Sequence, residues 1–464
     1  MKADLRPLFH PSSVAIVGAS ADLSKSGGRF WQGLRALEYQ GAAYPVNTSE
    51  NALPGEKVYR QVSDIPGEVD LAILAVPARA VRSSIADCAR KGVKVAIIHG
   101  AGFAELGEEG RAEQEAVVAV ARAAGMRLVG PNCMGITCPS ARINTVAGSG
   151  TLRFEPGNLG FIGQSGWTTE YALIMGSARG LSFSAAVSSG NQADLTMTDY
   201  LEYFAGDPQT KVIGAYAEGF KDGRSFLATA REAARQKPVV IWKSGRTPTG
   251  VRSVQSHTGS LAGNDAITQA ALRQAGVEEA TGVEDLLDAM AGFTSPLLPE
   301  GRRVGVIVDT GGAGVAASDA CESMGLEVPR LTDQVQRALR DHLKAYLPPF
   351  AGIANPVDLV WAPAGMEDEV YGRSVELIAP EVDALLIMLY PSGDHEKLAS
   401  WLASLRDRVG KPIFVVPPYG SVMQPYMRLC TQHRVPAFES MERAVRALTR
   451  LVRRTELLRA NPVT

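Results

Sequence analysis

Along the chain, short runs of β-branched and aliphatic residues alternate with longer stretches whose apolar positions recur at helical spacing, and glycines stand where one pattern gives way to the other. That alternation predicts parallel strands joined by crossover helices. Three blocks repeat it. The first reads Val14-Ala15-Ile16-Val17, Leu71-Ala72-Ile73-Leu74-Ala75-Val76, Val95-Ala96-Ile97-Ile98 and Leu128-Val129, with a helical period from Glu108 to Ala124 before the last run. A link containing Gly148-Ser149-Gly150 and Pro156-Gly157 ends it. The second opens with Leu159-Gly160-Phe161-Ile162, continues through Phe183 to Val187, Val212 to Tyr216 and Val239 to Trp242, and stops at Ser295-Pro296-Leu297-Leu298-Pro299-Glu300-Gly301. The third starts at Val304-Gly305-Val306-Ile307-Val308 and returns at Ala384 to Leu389 and Pro412 to Val416, with helical periods from Asp333 to Lys344 and Met441 to Arg454. The expected fold is α/β, in three domains spanning 1–148, 149–296 and 297–464.

Length agrees, since 464 residues are too many for one core and suggest about three domains. The 47 basic and 49 acidic residues nearly cancel and do not cluster, which argues against a nucleic-acid or membrane-surface partner. Ala384 to Tyr390 is far shorter than the roughly 20 apolar residues of a membrane helix. The opening Met1 to Pro7 does not read as a secretion signal. The five cysteines, Cys88, Cys133, Cys138, Cys321 and Cys430, have no metal-ligand spacing, so no metal site is expected, and they fit a reducing cytoplasm.

In open α/β sheets ligands collect where strands end and helices begin, because free N–H groups and the helix dipole converge there. Small-residue turns occupy that point three times. Gly18-Ala19-Ser20 follows the first strand and leads to Lys25-Ser26-Gly27-Gly28-Arg29. It is not G-x-G-x-x-G, and Tyr44-Pro45-Val46-Asn47 ends the second strand without an acid for a ribose hydroxyl. A phosphate-bearing nucleotide with Lys25 or Arg29 as counter-charge therefore suits this turn better than NAD. Gly163-Gln164-Ser165-Gly166 and Gly311-Gly312-Ala313-Gly314 each begin a helix with bare amides, and as a pair could form a socket for phosphate or phosphohistidine.

Between Val239-Val240-Ile241-Trp242 and a helical period starting near Ala266 lies the segment Ser244 to Asp265, which reads as a structureless connection of about 20 residues. It holds Ser256-His257-Thr258-Gly259-Ser260, one imidazole among small and hydroxylated residues, as a mobile reactive histidine would be. Glu218, after the strand ending at Tyr216, reads by itself as a surface acid.

The series Gly18-Ala19-Ser20, Tyr44-Pro45-Val46-Asn47, Gly130-Pro131-Asn132, Gly163-Gln164-Ser165-Gly166, Ser189-Gly190-Asn191-Gln192-Ala193-Asp194, Tyr216-Ala217-Glu218-Gly219, Ser256-His257-Thr258-Gly259-Ser260, Gly311-Gly312-Ala313-Gly314 and Asn355-Pro356-Val357-Asp358-Leu359 resembles the α subunit of NDP-forming acyl-CoA synthetases, relatives of succinyl-CoA synthetase. The match runs in order over nearly the whole chain. It implies a Rossmann-like CoA-binding domain followed by two flavodoxin-like domains. CoA would be bound by Gly18, Ala19, Ser20 and Lys25 near its diphosphate and by Pro45, Val46, Asn47, Val76, Pro77 and Asn132 along the remainder. His257 would carry the phosphoryl group and Glu218 would orient its ring. Gln164, Ser165 and Gly166, with Gly312, Ala313 and Gly314, would hold the phosphate at two helix N-termini. The reaction would be acyl-CoA, phosphate and ADP giving the free carboxylic acid, CoA and ATP with Mg2+. The ATP-grasp domain that binds ADP or ATP would come from a separate β subunit, in an α2β2 assembly.

The chain departs from the family's pattern at Gly163, where Ser is frequent, at Val360, where Thr is more common, and at the bulky Trp167, whose usual fate would be the core. An acyl-CoA-dependent lyase or transferase of the same superfamily and a CoA-binding regulator remain open on sequence grounds, the second opposed by the retention of His257 with Glu218.

Overall fold

The computed structural model describes residues 4–146, 151–258, 265–363 and 365–460, with only the backbone for 254–258 and Ser421. Two compact units result: Met1–Met175 with Ser182–Val283, and Gly176–Leu181 with Glu284–Thr464.

The first unit contains two sheets. Its chain runs α1 (Arg6–Phe9), β1 (Ser13–Val17), α2 (Ser26–Ala36), β2 (Ala42–Val46), β3 (Leu71–Leu74), α3 (Ala78–Lys91), β4 (Val95–Ile98), α4 (Glu108–Ala123) and β5 (Arg127–Val129). These strands pair in parallel in the order β2-β1-β3-β4-β5. Every residue of β1, β3 and β4 is buried, as expected of strands covered by helices on both faces.

The chain continues through β6 (Gly135–Cys138), β7 (Ile143–Asn144), β8 (Pro156–Gly163), α5 (Gly166–Ala178), β9 (Phe183–Ser188), α6 (Met197–Gly206), β10 (Val212–Ala217), α7 (Gly223–Gln236), β11 (Val239–Lys243), α8 (Pro248–Thr258), α9 (Asp265–Gln274) and β12 (Glu278–Ala280). Their sheet is ordered β12-β11-β10-β8-β9-β6-β7, parallel from β12 to β9 and antiparallel at the β6–β7 hairpin.

The second unit holds α10 (Val283–Gly292), β13 (Val304–Val308), α11 (Gly311–Ser323), α12 (Asp333–Leu343), β14 (Gly352–Ile353), β15 (Val357–Asp358), α13 (Arg373–Ile378), β16 (Ala384–Met388), α14 (His395–Val409), β17 (Ile413–Val416), α15 (Gln424–Gln432) and α16 (Met441–Ala460). Its sheet is β14-β15-β13-β16-β17, with only β14 antiparallel. Buried Arg450 of α16 makes two 2.8 Å bonds to Asp285 of α10, and Arg443 clasps Asp288 at 2.6 Å, so two carboxylates that would be costly to bury alone are neutralised.

The three sheets repeat one plan. In each, the first strand of the parallel set lies between the next two parallel strands, as β1 between β2 and β3, β8 between β9 and β10, and β13 between β15 and β16. The chain reverses its winding beside that strand, and a crevice opens at its carboxyl end. All three small-residue turns lie at such points.

The connection from Ser244 to Asp265 departs from expectation, because residues 248 to 258 are helical. Pro248 stands at the first helical position with its φ already suited to a helix, and the Thr247 hydroxyl accepts the Gly250 N–H at 3.1 Å. Capping thus overrides the weak helix propensity of this Gly-, Ser- and Thr-rich stretch.

Candidate active site

In the first sheet, the turn after β1 is closed by backbone bonds from Gly18 and Ala19 N–H to the Val46 carbonyl, at 2.8 and 3.2 Å. Asn47 reinforces it by donating to the Ala19 carbonyl at 2.8 Å. Gly18 has φ +91°, and a Cβ there would meet the Ala75 carbonyl oxygen at 2.5 Å. A Cβ on Gly27 would lie 1.9 Å from the Gly18 oxygen, so these two glycines let α2 start directly against the strand end. Gly18, Ala19, Ser20, Pro45, Val46, Asn47, Val76 and Pro77 gather at the carboxyl ends of β1, β2 and β3, and Asn132 follows β5. The Val46 side chain belongs to the core, so Val46 acts here through its carbonyl. Arg29 is engaged with the Ser24 carbonyl and Ser26, whereas the Lys25 side chain is 67% exposed beside Asp22. Of these two cations, Lys25 is the one held only by an exposed ion pair, at 3.6 Å to Asp22.

In the second sheet Glu218 is 3% exposed at the end of β10, which overturns its reading as a surface acid. The Gln164 side chain fixes it from β8's turn: its amide oxygen accepts from Glu218 N–H and, at 3.0 Å, from Gly219 N–H, while its amide nitrogen donates to the Gly219 carbonyl at 2.7 Å. The Tyr216 hydroxyl donates to the Glu218 carboxylate at 3.3 Å. Gln164, expected as a phosphate ligand, is thus committed through its side chain to the Glu218 backbone. Ser165 caps α5 by accepting the Thr168 N–H at 3.3 Å, and the first-turn amides of Gly166 and Trp167 have no acceptor within the helix. Gly163 admits no side chain, since its Cβ would lie 2.0 Å from the Thr169 hydroxyl that bonds back to Ser165. Trp167 is 63% exposed and packs on Tyr171, not in the core.

Lys243, which the sequence reading passed over, is 4% exposed at the end of β11, where its neighbour in register is Ala217. Burial lowers its pKa, opposed by the carboxylates of Asp265 and Glu218. Next along the chain, Arg246 pairs with Asp265 at 3.3 Å and Glu279 at 3.0 Å, pinning the start of the histidine segment to α9 and β12. The backbone of His257 lies in the last turn of α8, and its side chain is outside the described residues. Part of α8 comes within 8 Å, between Cα atoms, of the turn Ala104–Leu106 that follows β4 at the carboxyl edge of the first sheet. The histidine-bearing helix therefore neighbours the carboxyl edge of the first sheet.

In the third sheet Thr310 precedes α11, whose first turn contains no acid and receives no side-chain cap. Ala313 and Gly314 N–H already donate to the Thr310 carbonyl, at 3.2 and 3.4 Å. The Gly311 and Gly312 amides have no acceptor within the helix, and a Cβ on Gly312 would meet open space. Gly314 is buried, packed against Pro356. Among the described residues no cluster of three or more His, Cys, Asp or Glu could hold a metal ion, and no helix is long and apolar enough to cross a membrane.

Comparison with known proteins gives the same series. Residues 12–139 match the family model of a CoA binding domain, 156–293 that of a succinyl-CoA ligase like flavodoxin domain, and 304–399 that of a Ligase-CoA domain. The α subunit of acetate–CoA ligase [ADP-forming] II from Pyrococcus furiosus is 36% identical over 463 residues, covering 97% of both chains. The α subunit of form I from the same organism is 36% identical, covering 96% of this chain and 97% of its own. A structure described as the dinucleotide forming acetyl-coenzyme A synthetase 1 of Ca. Korarchaeum cryptofilum, in complex with phosphate and ADP, superposes with TM-score 0.88 at 33% identity, covering 100% of each chain.

Proposed function

The chain belongs to the family of ADP-forming acetate–CoA ligase α subunits, acid–thiol ligases of the succinyl-CoA synthetase superfamily, and from that premise we propose that it interconverts acyl-CoA, phosphate and ADP with carboxylic acid, CoA and ATP through a phosphohistidine on His257. The observation that carries this reading is the buried carboxylate of Glu218, set by Gln164 and Tyr216 in the unit that also carries the His257 helix.

Phosphate attacks the thioester carbonyl, the C–S bond breaks, and CoA leaves as an acyl phosphate forms. An imidazole nitrogen of His257 then takes the phosphoryl group, releasing the carboxylate. A neutral imidazole, of reference pKa about 6.5, is competent for this at pH 7. Glu218, by accepting the other ring N–H, would fix the free nitrogen and balance the charge that develops. The uncapped first-turn amides of Gly166 and Gly312 stand at helix N-termini, which suit phosphate. CoA fits the first sheet, where Gly18 and Gly27 let the start of α2 pack directly against the end of β1 and exposed Lys25 supplies charge. The nucleotide and its Mg2+ would be held by an ATP-grasp β subunit, in keeping with relatives named subunit alpha, and we place the assembly at α2β2.

The test is intact-mass and peptide mapping after incubation with Mg2+, phosphate and a panel of acyl-CoAs. The expected result is an acid-labile phosphoryl group on His257, absent from His257→Ala and at least about tenfold slower to appear in Glu218→Gln. No label, even with the ATP-grasp partner and ATP present, would sink the proposal.

A further inference from the structure

After β9 the loop from Ser189 to Asp194 leaves the second sheet and runs along the end of β5 in the first. At its start Ser189 donates to the Gly163 carbonyl through both its N–H, at 2.7 Å, and its hydroxyl, at 3.0 Å, so the loop grips the turn that carries Gln164 and the start of α5. Further on, Asn191 N–H donates to the Pro131 carbonyl and Ala193 N–H to the Gly130 carbonyl, both at 3.0 Å. Gly190 has φ +56°, and a Cβ there would lie 2.3 Å from the Pro131 oxygen and 2.4 Å from that of Asn132, so the two segments touch backbone to backbone. Asp194 closes the far end, its buried carboxylate accepting from Leu128 N–H at 2.9 Å, Arg127 at 2.8 Å and Arg122 at 3.0 Å.

The side chain at the centre of this seam is Asn191, 5% exposed. Its amide nitrogen donates to Glu105 at 2.6 Å and to Gln114 at 3.1 Å, and its amide oxygen accepts from the Asn132 amide at 3.4 Å. Glu105 is held in turn by Gly102 and Phe103 N–H, at 2.6 and 3.1 Å. Burial opposes its charge, but the bonds from Gly102 and Asn191 prevail and its pKa is lowered, so Glu105 accepts and Asn191 donates. A buried polar network satisfied in this way rigidifies the contact in which it sits. One side chain thus joins the strand end that holds Asn132 to the loop that grips the turn of Gln164 to Gly166.

The function proposed above gives the seam a task. The first sheet would bring the thioester and the start of α5 the phosphate, and displacement of CoA by phosphate at the thioester carbonyl needs the reacting atoms about 3–3.5 Å apart. A misplacement of roughly 1 Å is enough to slow such a step by about a hundredfold. Phosphoryl transfer between ATP and His257 involves no CoA and makes no such demand. Resting on that function, we infer that Asn191 is a positioning residue for the acyl-transfer half of the reaction, fixing the CoA-facing edge of the first sheet against the turn of Gln164 to Gly166 through its bonds to Glu105 and Asn132.

The experiment compares Asn191→Asp with the unsubstituted protein, each in complex with the ATP-grasp partner. The substitution sets a carboxylate against Glu105 where an amide had donated, and leaves the bonds of Ser189 to Gly163 in place. With the acyl-CoA that labels the unsubstituted protein fastest, and radiolabelled phosphate, label on His257 is expected to appear at least about tenfold more slowly in Asn191→Asp, whereas label from ATP keeps its rate within about twofold. Adding Glu105→Gln exchanges donor for acceptor, since the glutamine oxygen can take the Gly102 and Phe103 N–H groups while its nitrogen donates to the new carboxylate. The paired variant is expected to recover the acyl-CoA-driven rate to within about threefold. Asn191→Ala, which deletes the bonds without adding charge, is expected to show the same split between the two labels, and it decides the matter should Asn191→Asp fail to fold. Both labels slowed alike, as general loss of structure would give, an acyl-CoA-driven label at its normal rate, or a paired variant no faster than Asn191→Asp overturns the inference. An unsubstituted protein that takes label from neither source overturns the function proposed above and this inference with it, so the two failures are told apart.

Discussion

Gln164 shows how one side chain can hold the backbone of another site residue in place. Its amide closes on three polar groups of Glu218 and Gly219, all buried behind β8 and β10. Gln164→Leu keeps the volume and deletes the bonds, leaving two N–H groups and a carbonyl unsatisfied at on the order of 1–3 kcal/mol each. The expected outcome is a melting temperature lower by several degrees, and phosphohistidine formation slowed more than CoA binding is weakened. Calorimetric unfolding beside a phosphorylation time course checks both, and an unaltered phosphorylation rate would deny Gln164 its positioning role. Glu218 could be singled out in the sequence only through its family motif, since an acid after a strand is ordinarily solvated. Gln164 was legible as part of a turn, but not its partner, because their separation of 54 positions is spanned by the sheet and not by any local pattern. Lys243 went unread for a related reason, since a lysine ending a strand gives no sign in sequence of being buried.

Strands of four or more apolar residues were legible because parallel sheets bury both faces and so write continuous runs. The two-residue strands β7, β14 and β15 were not, and α8 was mistaken for a loop because its cap, not its composition, makes it a helix. The junction of β1 with α2 lends itself to a test of how element spacing builds a ligand crevice. In Gly27→Ala the new Cβ meets backbone, 1.9 Å from the Gly18 oxygen and 2.7 Å from its carbon, so α2 must move away from the strand end. CoA affinity is expected to drop by more than about tenfold, with a lower melting temperature. Gly206→Ala, at the end of α6 with nothing within 4 Å of its Cβ, is the contrast: neutral, or stabilising by up to about 1 kcal/mol, with CoA binding unchanged. Calorimetric titration of CoA on both variants decides, and equal losses would mean that the tight β1–α2 approach does not shape the crevice.

Across the whole molecule one winding plan recurs in three sheets, and this explains why so much of the fold could be read from a repeated strand-turn-helix pattern while its ligand chemistry resided in the turns. The cysteines show the reverse relation, in which sequence gave a count and structure gives the chemistry. All five are buried and unbridged. Burial pushes the thiols of Cys88, Cys133, Cys321 and Cys430 up to about 12. The thiolate is the nucleophile, and at pH 8 such a thiol is ionised to roughly one part in ten thousand, against about a quarter for a free cysteine of pKa near 8.5. Ionisation alone therefore slows alkylation by roughly two-thousandfold, before steric exclusion is added. Native protein treated with iodoacetamide at pH 8 is expected to keep its unmodified mass, and protein unfolded in guanidinium to gain five adducts. Mass spectrometry with peptide mapping reads the result. A cysteine labelled in native protein at the rate of a free thiol would show that its element opens without global unfolding, and would refute the closed packing described around it.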